Sequence, residues 1–120
     1  MTSDRMRRVD EAVRQVLTDA VAQDLQDPRI GFVTMTSVKT TSDLRHARVY
    51  VSVLGDDVQR AATLAGLSSA HGALQRRLAR ELRMKRTPTL EFLYDDTTDR
   101  AMRVEELLDR GPAGREAGEA

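Results

Sequence analysis

Apolar side chains recur at spacings of three and four along residues 4–25, which is the pattern of a helix with one buried face. They are Met6, Val9, Val13, Val16, Leu17, Ala20, Val21 and Leu25. The pair Asp27-Pro28 ends this predicted helix, because proline disfavours helical backbone at the residue that precedes it.

Two extended segments follow, and both have the composition or the alternation of strands. The first, "IGFVTMTSVKT" at residues 30–40, is rich in β-branched residues. The second, "RHARVYVSVL" at residues 45–54, places Ala47, Val49 and Val51 on one side and Arg48 and Tyr50 on the other. The intervening "TSDL" has turn chemistry, so the two strands are predicted to form an antiparallel hairpin.

The second half of the chain contains two adjoining helices and a third strand. "GDD" at residues 55–57 ends the second strand and offers a cap for a helix rich in Ala and Leu that runs to about Ser69. Another helix is predicted from residue 73 to about Met84, and Thr87-Pro88 prevents its continuation. "TLEFLYD" is then predicted to be a strand, and "DRAMRVEELLDR" a short final helix.

The resulting order, α-β-β-α-α-β plus a terminal helix, predicts an α+β fold with helices packed on one face of a three-stranded sheet. It is the order of a type II KH-like domain. We predict one such domain over residues 1–109, which suits a chain of 120 residues. Residues 110–120 are rich in Gly, Ala and Glu without an apolar pattern, so they are predicted to form a disordered tail.

Composition removes several classes of function. The chain has no cysteine, which excludes disulfides, thiol catalysis and cysteine-based zinc sites. It has only two histidines, so we expect neither a metal nor a cofactor. No apolar run approaches the roughly 20 residues of a membrane span, and the N-terminus lacks the apolar stretch of a secretory signal. We therefore expect a cytoplasmic protein without a membrane partner.

Positive charge is concentrated in one helix, although the formal net charge of the chain is zero. On a helical wheel of residues 73–85, one side carries Leu74, Leu78 and Leu82. The cations are Arg76, Arg80 and Arg83 opposite the leucines, Arg77 beside them, and Lys85 and Arg86 at the helix end. One interpretation is a solvated surface whose positive charge interacts favourably with the C-terminal end of the helix dipole. The other is a face that binds phosphates. Glu81 is the only acid in the run, which favours phosphate binding.

Several other residues admit two interpretations. Gly72 lies at a tight helix contact, at an ordinary helix break, or at a kink that a nucleic-acid backbone can approach. His71 either contacts RNA or packs within the protein. Arg45 and Arg48 either widen the basic surface or form the solvent side of the sheet.

Acidic residues near the end of the chain are candidates for a magnesium site, namely Asp95, Asp96 and Asp99. They immediately precede or begin a predicted helix, where Asp serves as a cap, and capping is the favoured interpretation. The sequence contains no Ser-His-acid arrangement and no phosphate-cradling glycine loop, so we expect no enzymatic activity.

Several motifs carry a resemblance to a known family: "DPRIGFVTMTSV", "DLRHARVYVSVLG", "SSAHGALQRRLARELRMKRTPTLEF", "YDD" and "VEELLDR". Through them the chain, from Arg5 to Arg110, resembles the ribosome-binding factor A family of bacterial ribosome assembly factors. KH domains bind single-stranded nucleic acid at a GXXG loop between two helices. The resemblance places the Ala-x-Gly kink of this family there instead, at Ala70, His71 and Gly72. Gln75 is a departure, since an arginine is expected at its position.

The resemblance implies a non-catalytic protein that binds 16S rRNA and free small ribosomal subunits or their precursors. It also implies a role in late small-subunit maturation and 16S rRNA processing, notably in the cold. We expect a monomer. The predicted RNA-binding residues are Arg45, Arg48, His71, Gly72, Arg76, Arg77, Arg80, Arg83, Lys85 and Arg86. Two alternatives remain: a hydrolase that uses the cluster at residues 95–99, and a protein-interaction or dimerisation module that uses an exposed sheet edge.

Overall fold

A computed structural model describes residues 3–97, 100, 101, 104, 107 and 108. The elements are α1 (Asp4–Gln23), β1 (Val33–Thr40), β2 (His46–Val53), α2 (Asp57–Ser69), α3 (His71–Leu82) and β3 (Thr89–Tyr94). The predicted order α-β-β-α-α-β and the α+β class are therefore confirmed.

The sheet is mixed, with the strands in the order β1-β2-β3. β1 and β2 form the predicted antiparallel hairpin, whereas β3 runs parallel to β2. A bulge at Thr36 interrupts the β1–β2 register between Met35 and Ser37. The Thr36 hydroxyl donates to Asp95 Oδ2 at 2.7 Å and lies 3.1 Å from the Tyr50 carbonyl oxygen, so the bulge also fastens the end of β3.

All three helices contribute to one core on a single face of the sheet. On β2 the alternate residues Ala47, Val49, Val51 and Val53 are buried, as the alternation predicted. The helices cover them with a second set of buried side chains: Val13, Val16, Leu17, Ala20, Leu67, Leu74 and Leu78. The opposite face of the sheet is left to solvent, and polar side chains cover most of it.

Local capping explains where most of the helices begin. Ser3 Oγ accepts from the Met6 N–H at 3.1 Å at the start of α1. α2 begins with a reciprocal capping box in which Asp56 and Gln59 bond each other's backbone N–H groups. α3 ends at Leu82 rather than near Met84, because Arg83 adopts left-handed backbone with φ 52°.

The predicted final helix falls partly outside the described residues, as does the predicted tail at residues 110–120. Thr97, Arg100, Ala101, Val104, Leu107 and Leu108 are helical. Asp95 Oδ1 accepts from the Thr97 N–H at 3.0 Å, so this carboxylate bonds a backbone donor at the start of the final helix, as the capping interpretation expects. Bonds from Thr97 and then Thr36 hold the pKa of Asp95 below its ordinary value.

The turn after α1 supports a prediction about pH. Asp27 accepts from both the side chain and the backbone N–H of Arg29, which lowers the pKa of the Asp27 carboxyl to about 2. A carboxylate with a depressed folded-state pKa stabilises the fold above its unfolded-state pKa and loses this effect as the pH falls. At about pH 7 we expect the Asp27→Asn variant to melt at a lower temperature than the parent. The difference between the two melting temperatures should shrink as the pH falls from about 4 to about 2. If thermal melts show a constant difference over this pH range, the stabilisation does not come from the ionised Asp27 carboxylate.

Candidate nucleic-acid interface

One side of α3 is charged, and its other side is buried. Leu74 and Leu78 are fully buried. Arg76 and Arg80 lie one helical turn apart on the exposed side, and Arg83 is exposed just beyond the helix end. The side chains of these three arginines, which we call the α3 stripe, make no ion pair or hydrogen bond with any other described residue. Their guanidinium groups are therefore available to an external anion.

Arg77 does not belong to this stripe. Its side chain is 14% exposed and donates to Asp24 Oδ2 at 2.7 Å, to Glu81 Oε1 at 2.8 Å and to Gln23 Oε1 at 2.9 Å. The bond to Asp24, followed by that to Glu81, raises the pKa of Arg77. Since its donors are directed at these partners, Arg77 joins α3 to the end of α1, and the geometry does not support its predicted RNA contact.

His71 and Gln75 anchor α3 to the start of β3. His71 Nε2 accepts from the Leu90 N–H at 3.0 Å, and this side chain is half-buried. Gln75 Nε2 donates to the Pro88 carbonyl oxygen at 2.9 Å. The packing interpretation of His71 is thus the one that the contacts support. Gln75, where the family resemblance led us to expect an arginine, has a structural partner of its own.

The interruption between α2 and α3 is at Ala70, which caps the end of α2 and the start of α3. The Ala70 N–H bonds to the Gly66 carbonyl oxygen at 3.1 Å, and no side chain caps the start of α3. Gly72 lies inside α3 and is exposed, and an added Cβ would meet only Arg76 Nη1, at 3.5 Å. Of the three interpretations of Gly72, the tight helix contact is therefore contradicted, and the helix break lies two residues earlier, at Ala70.

Gly66, rather than Gly72, lies at a tight contact. A Cβ added there would approach Ile30 Cγ1 to 2.7 Å, because the segment before β1 crosses α2 at this point. We expect Gly66→Ala to lower the free energy of unfolding by about 1–3 kcal/mol, as overpacking does. Gly72→Ala should leave it unchanged or raise it by up to about 1 kcal/mol. Urea denaturation of both variants would check this, and a larger loss in the Gly72 variant would contradict the placement.

Three further predicted cations gather at the end of the sheet nearest the β1–β2 turn. Arg45, Lys85 and Arg86 line a groove of about 430 Å³ together with Asp43, Leu44 and Met84. The Thr89 N–H donates to the Arg45 carbonyl oxygen at 2.8 Å, which holds the turn against the loop that precedes β3. The fold thus brings together cations from two separate loops, which no helical wheel could show.

Arg48 lies apart from both groups, on the open face of the sheet. Its Nε is 3.6 Å from Glu91 Oε1, and its neighbour across the hairpin is Lys39. Both cations line a shallow cavity of about 590 Å³ on that face. Lys39 was not among the predicted site residues. The hairpin register places it there, since a turn of residues 42–45 sets Lys39 opposite Arg48.

The described residues contain no cluster of three or more side chains suited to hold a metal ion. In the same part of the chain, no helix is both long and apolar enough to cross a bilayer. The candidate site consists of cations on three surfaces: the α3 stripe, the groove and the open sheet face.

Fold and site together define an α+β domain of α-β-β-α-α-β order, whose interrupted helix pair presents arginines with no ion-pair partner among the described residues. The ribosome-binding factor A family model matches residues 5–108. The chain belongs to the ribosome-binding factor A family.

Individual relatives agree with this assignment. The ribosome-binding factor A of Anaeromyxobacter sp. (strain K) is 48% identical over 108 residues, which cover 89% of this chain and 78% of that protein. The crystal structure of ribosome-binding factor A from Thermus thermophilus superposes with a TM-score of 0.67 at 31% identity, covering 74% of this chain and 93% of that one. A homology model of the Thermus thermophilus factor was fitted into a cryo-EM map of a complex with 30S. It superposes with a TM-score of 0.61 at 32% identity, covering 72% of this chain and 90% of that one.

Proposed function

We propose that this protein is a non-catalytic assembly factor that binds the small ribosomal subunit through 16S rRNA and assists late maturation and 16S rRNA processing. The observation that carries the proposal is the α3 stripe, whose guanidinium groups make no ion pair with described residues while Arg77 beside them is fully engaged. The Thermus thermophilus relative fitted into a 30S complex supports the choice of partner.

The stripe suits a phosphate backbone for physical reasons. RNA carries closely spaced negative charges, and each phosphate contact made by a cation releases a condensed counterion. Arginine adds a planar fork that can bond two phosphate oxygens at once. Because Arg76 and Arg80 lie on the side of α3 opposite fully buried leucines, they can bind an anion without disturbing the core.

The proposal also fixes how the protein works. We propose that it acts as a monomer, since the stripe lies on one chain and needs no second copy to be complete. It works in the cytoplasm, where bacterial small subunits mature. KH-like recognition here uses the interruption at Ala70 between α2 and α3, together with the flanking cations, in place of a GXXG loop.

Sedimentation with purified ribosomal particles tests the proposal. The protein is mixed with free small subunits, with free large subunits and with whole ribosomes, and each mixture is run on a sucrose gradient. We expect the protein to migrate with free small subunits and to stay at the top of the gradient with the other particles. Equal migration with all three would indicate only nonspecific attraction to RNA.

A further inference from the structure

The groove beside the β1–β2 turn has an apolar surface that phosphate binding does not need. Leu44 and Met84 line it from opposite loops, alongside Arg45, Lys85 and Arg86. Met84 is half-buried and packs on the core, so its position is fixed. At about 430 Å³ the groove is within the usual range of small-ligand clefts and is larger than one nucleobase.

Backbone strain coincides with this groove. Leu44 has φ 61° and Arg83 has φ 52°, and within the described residues they are the only non-glycine residues with positive φ. Leucine adopts this conformation rarely, whereas glycine or asparagine adopts it readily. The turn alone therefore does not explain a leucine at residue 44, because asparagine would form the same turn with less strain. What leucine adds is an apolar side chain on the groove wall.

The turn that holds Leu44 is tightly built. The Leu44 N–H donates to the Thr41 carbonyl oxygen at 2.8 Å. The Asp43 carboxylate accepts from the Thr41 hydroxyl at 2.6 Å and from the Arg45 N–H at 3.0 Å. These bonds, with that from Thr41 the largest cause, lower the pKa of Asp43. Asp43 thus stabilises the turn through these bonds. Its negative charge is partly offset by Arg45, whose Nε lies 3.9 Å from Asp43 Oδ2.

The remaining charges on the groove are positive. Neither Lys85 nor Arg86 forms an ion pair with any residue that the structure describes, and both are exposed. An anion with a flat apolar part would satisfy the cations and the apolar wall together. A nucleotide has this chemistry, since its base is apolar on both faces and its phosphate is charged.

We propose that the groove holds one unpaired nucleotide of a single-stranded RNA segment. Its base lies against Leu44 and Met84, and Arg45, Lys85 and Arg86 bind the phosphates on either side. Base-paired RNA cannot fill the groove in this way, because its bases are stacked within the duplex. The groove therefore selects unpaired RNA, while the α3 stripe attracts any RNA. The inference rests on the proposed RNA-binding function and adds a preference for strandedness to it.

The substitution Leu44→Asn tests this directly. Asparagine tolerates the left-handed backbone, so the variant should melt at the same temperature as the parent or higher. It should bind an unstructured RNA of about ten nucleotides about five-fold or more weakly than the parent, since the apolar contact between a leucine side chain and a base is lost. Its affinity for a duplex of equal length should stay within about two-fold of the parent. Fluorescence anisotropy at fixed salt measures both.

Two further measurements separate the possible outcomes. The double substitution Lys85→Gln and Arg86→Gln should weaken the binding of both the single-stranded and the duplex RNA. It should also make both affinities depend less steeply on salt concentration. In NMR spectra, the methyl groups of Leu44 and Met84 should shift on addition of AMP, whose base has a ring current, and not with ribose 5-phosphate. Unchanged single-strand binding by Leu44→Asn, or an equal loss for both RNAs, would overturn the groove proposal alone. The groove proposal would also be overturned if polyglutamate bound to the groove as tightly as the single-stranded RNA does. A parent protein that binds neither RNA nor small subunits would instead overturn the proposed function.

Discussion

Leu78→Ala is expected to lower the free energy of unfolding by about 2–5 kcal/mol, the usual effect of deleting a buried leucine side chain. Leu78 is fully buried in α3 and belongs to the core cluster that α1, α3 and the sheet share. Because the packed surroundings collapse only partly into the space, the lost apolar contacts are not replaced. Urea denaturation followed by circular dichroism would measure the change.

The matched control is Leu54→Ala, since Leu54 is 76% exposed beyond the end of β2. This control should change the free energy of unfolding by less than about 0.5 kcal/mol. If Leu78→Ala changes stability as little as the control does, α3 does not bury this face, and the orientation of the α3 stripe is wrong as well.

The triple substitution Arg76→Gln, Arg80→Gln and Arg83→Gln should leave the melting temperature nearly unchanged and strongly weaken RNA binding. The three arginines are exposed and have no described partner, so folding loses little when they are replaced. Glutamine keeps the helix propensity and much of the side-chain length. If each arginine binds one phosphate, the slope of log affinity against log salt should fall by about two units, at roughly 0.7 per single-strand contact.

A charge-matched control separates this effect from a general loss of positive charge. Arg5, Arg7 and Arg8 are exposed at the start of α1, so replacing all three by glutamine removes the same charge from another surface. This control should keep most of the RNA affinity. Changing the stripe to lysine should preserve the salt dependence and lose the paired bonds of the guanidinium fork. Equal losses in the glutamine variant and the α1 control would show that only net charge matters.

The fold was predictable because the apolar periodicity of each segment matches its environment. The alternation around Val49 and Val51 identified the buried face of β2, and the spacing of Leu74 and Leu78 identified that of α3. Helix ends were less predictable. α3 ends at Leu82 because Arg83 has a left-handed backbone conformation. The sequence does not indicate this end, since position 83 is neither glycine nor asparagine.

The site was predictable only where one element carries it. Arg76 and Arg80 follow from the wheel of α3, because the positions opposite a buried leucine face solvent. Arg77 could not be separated from them, since its partner Asp24 lies at the end of another helix. The groove formed by Arg45 and Lys85 depends on which loops the sheet brings together, and this follows from the parallel pairing of β3.

The central claim is that the α3 stripe attaches this protein to the small ribosomal subunit. Its most direct test is sedimentation of the parent and the triple glutamine variant with free small subunits, on the same sucrose gradients over a range of salt. We expect the parent to migrate with the subunit, and the folded variant to stay at the top of the gradient at every salt concentration at which the parent still binds. Equal migration of both proteins with the subunit across the whole salt range would contradict it, and the contact with the subunit would then lie on another surface.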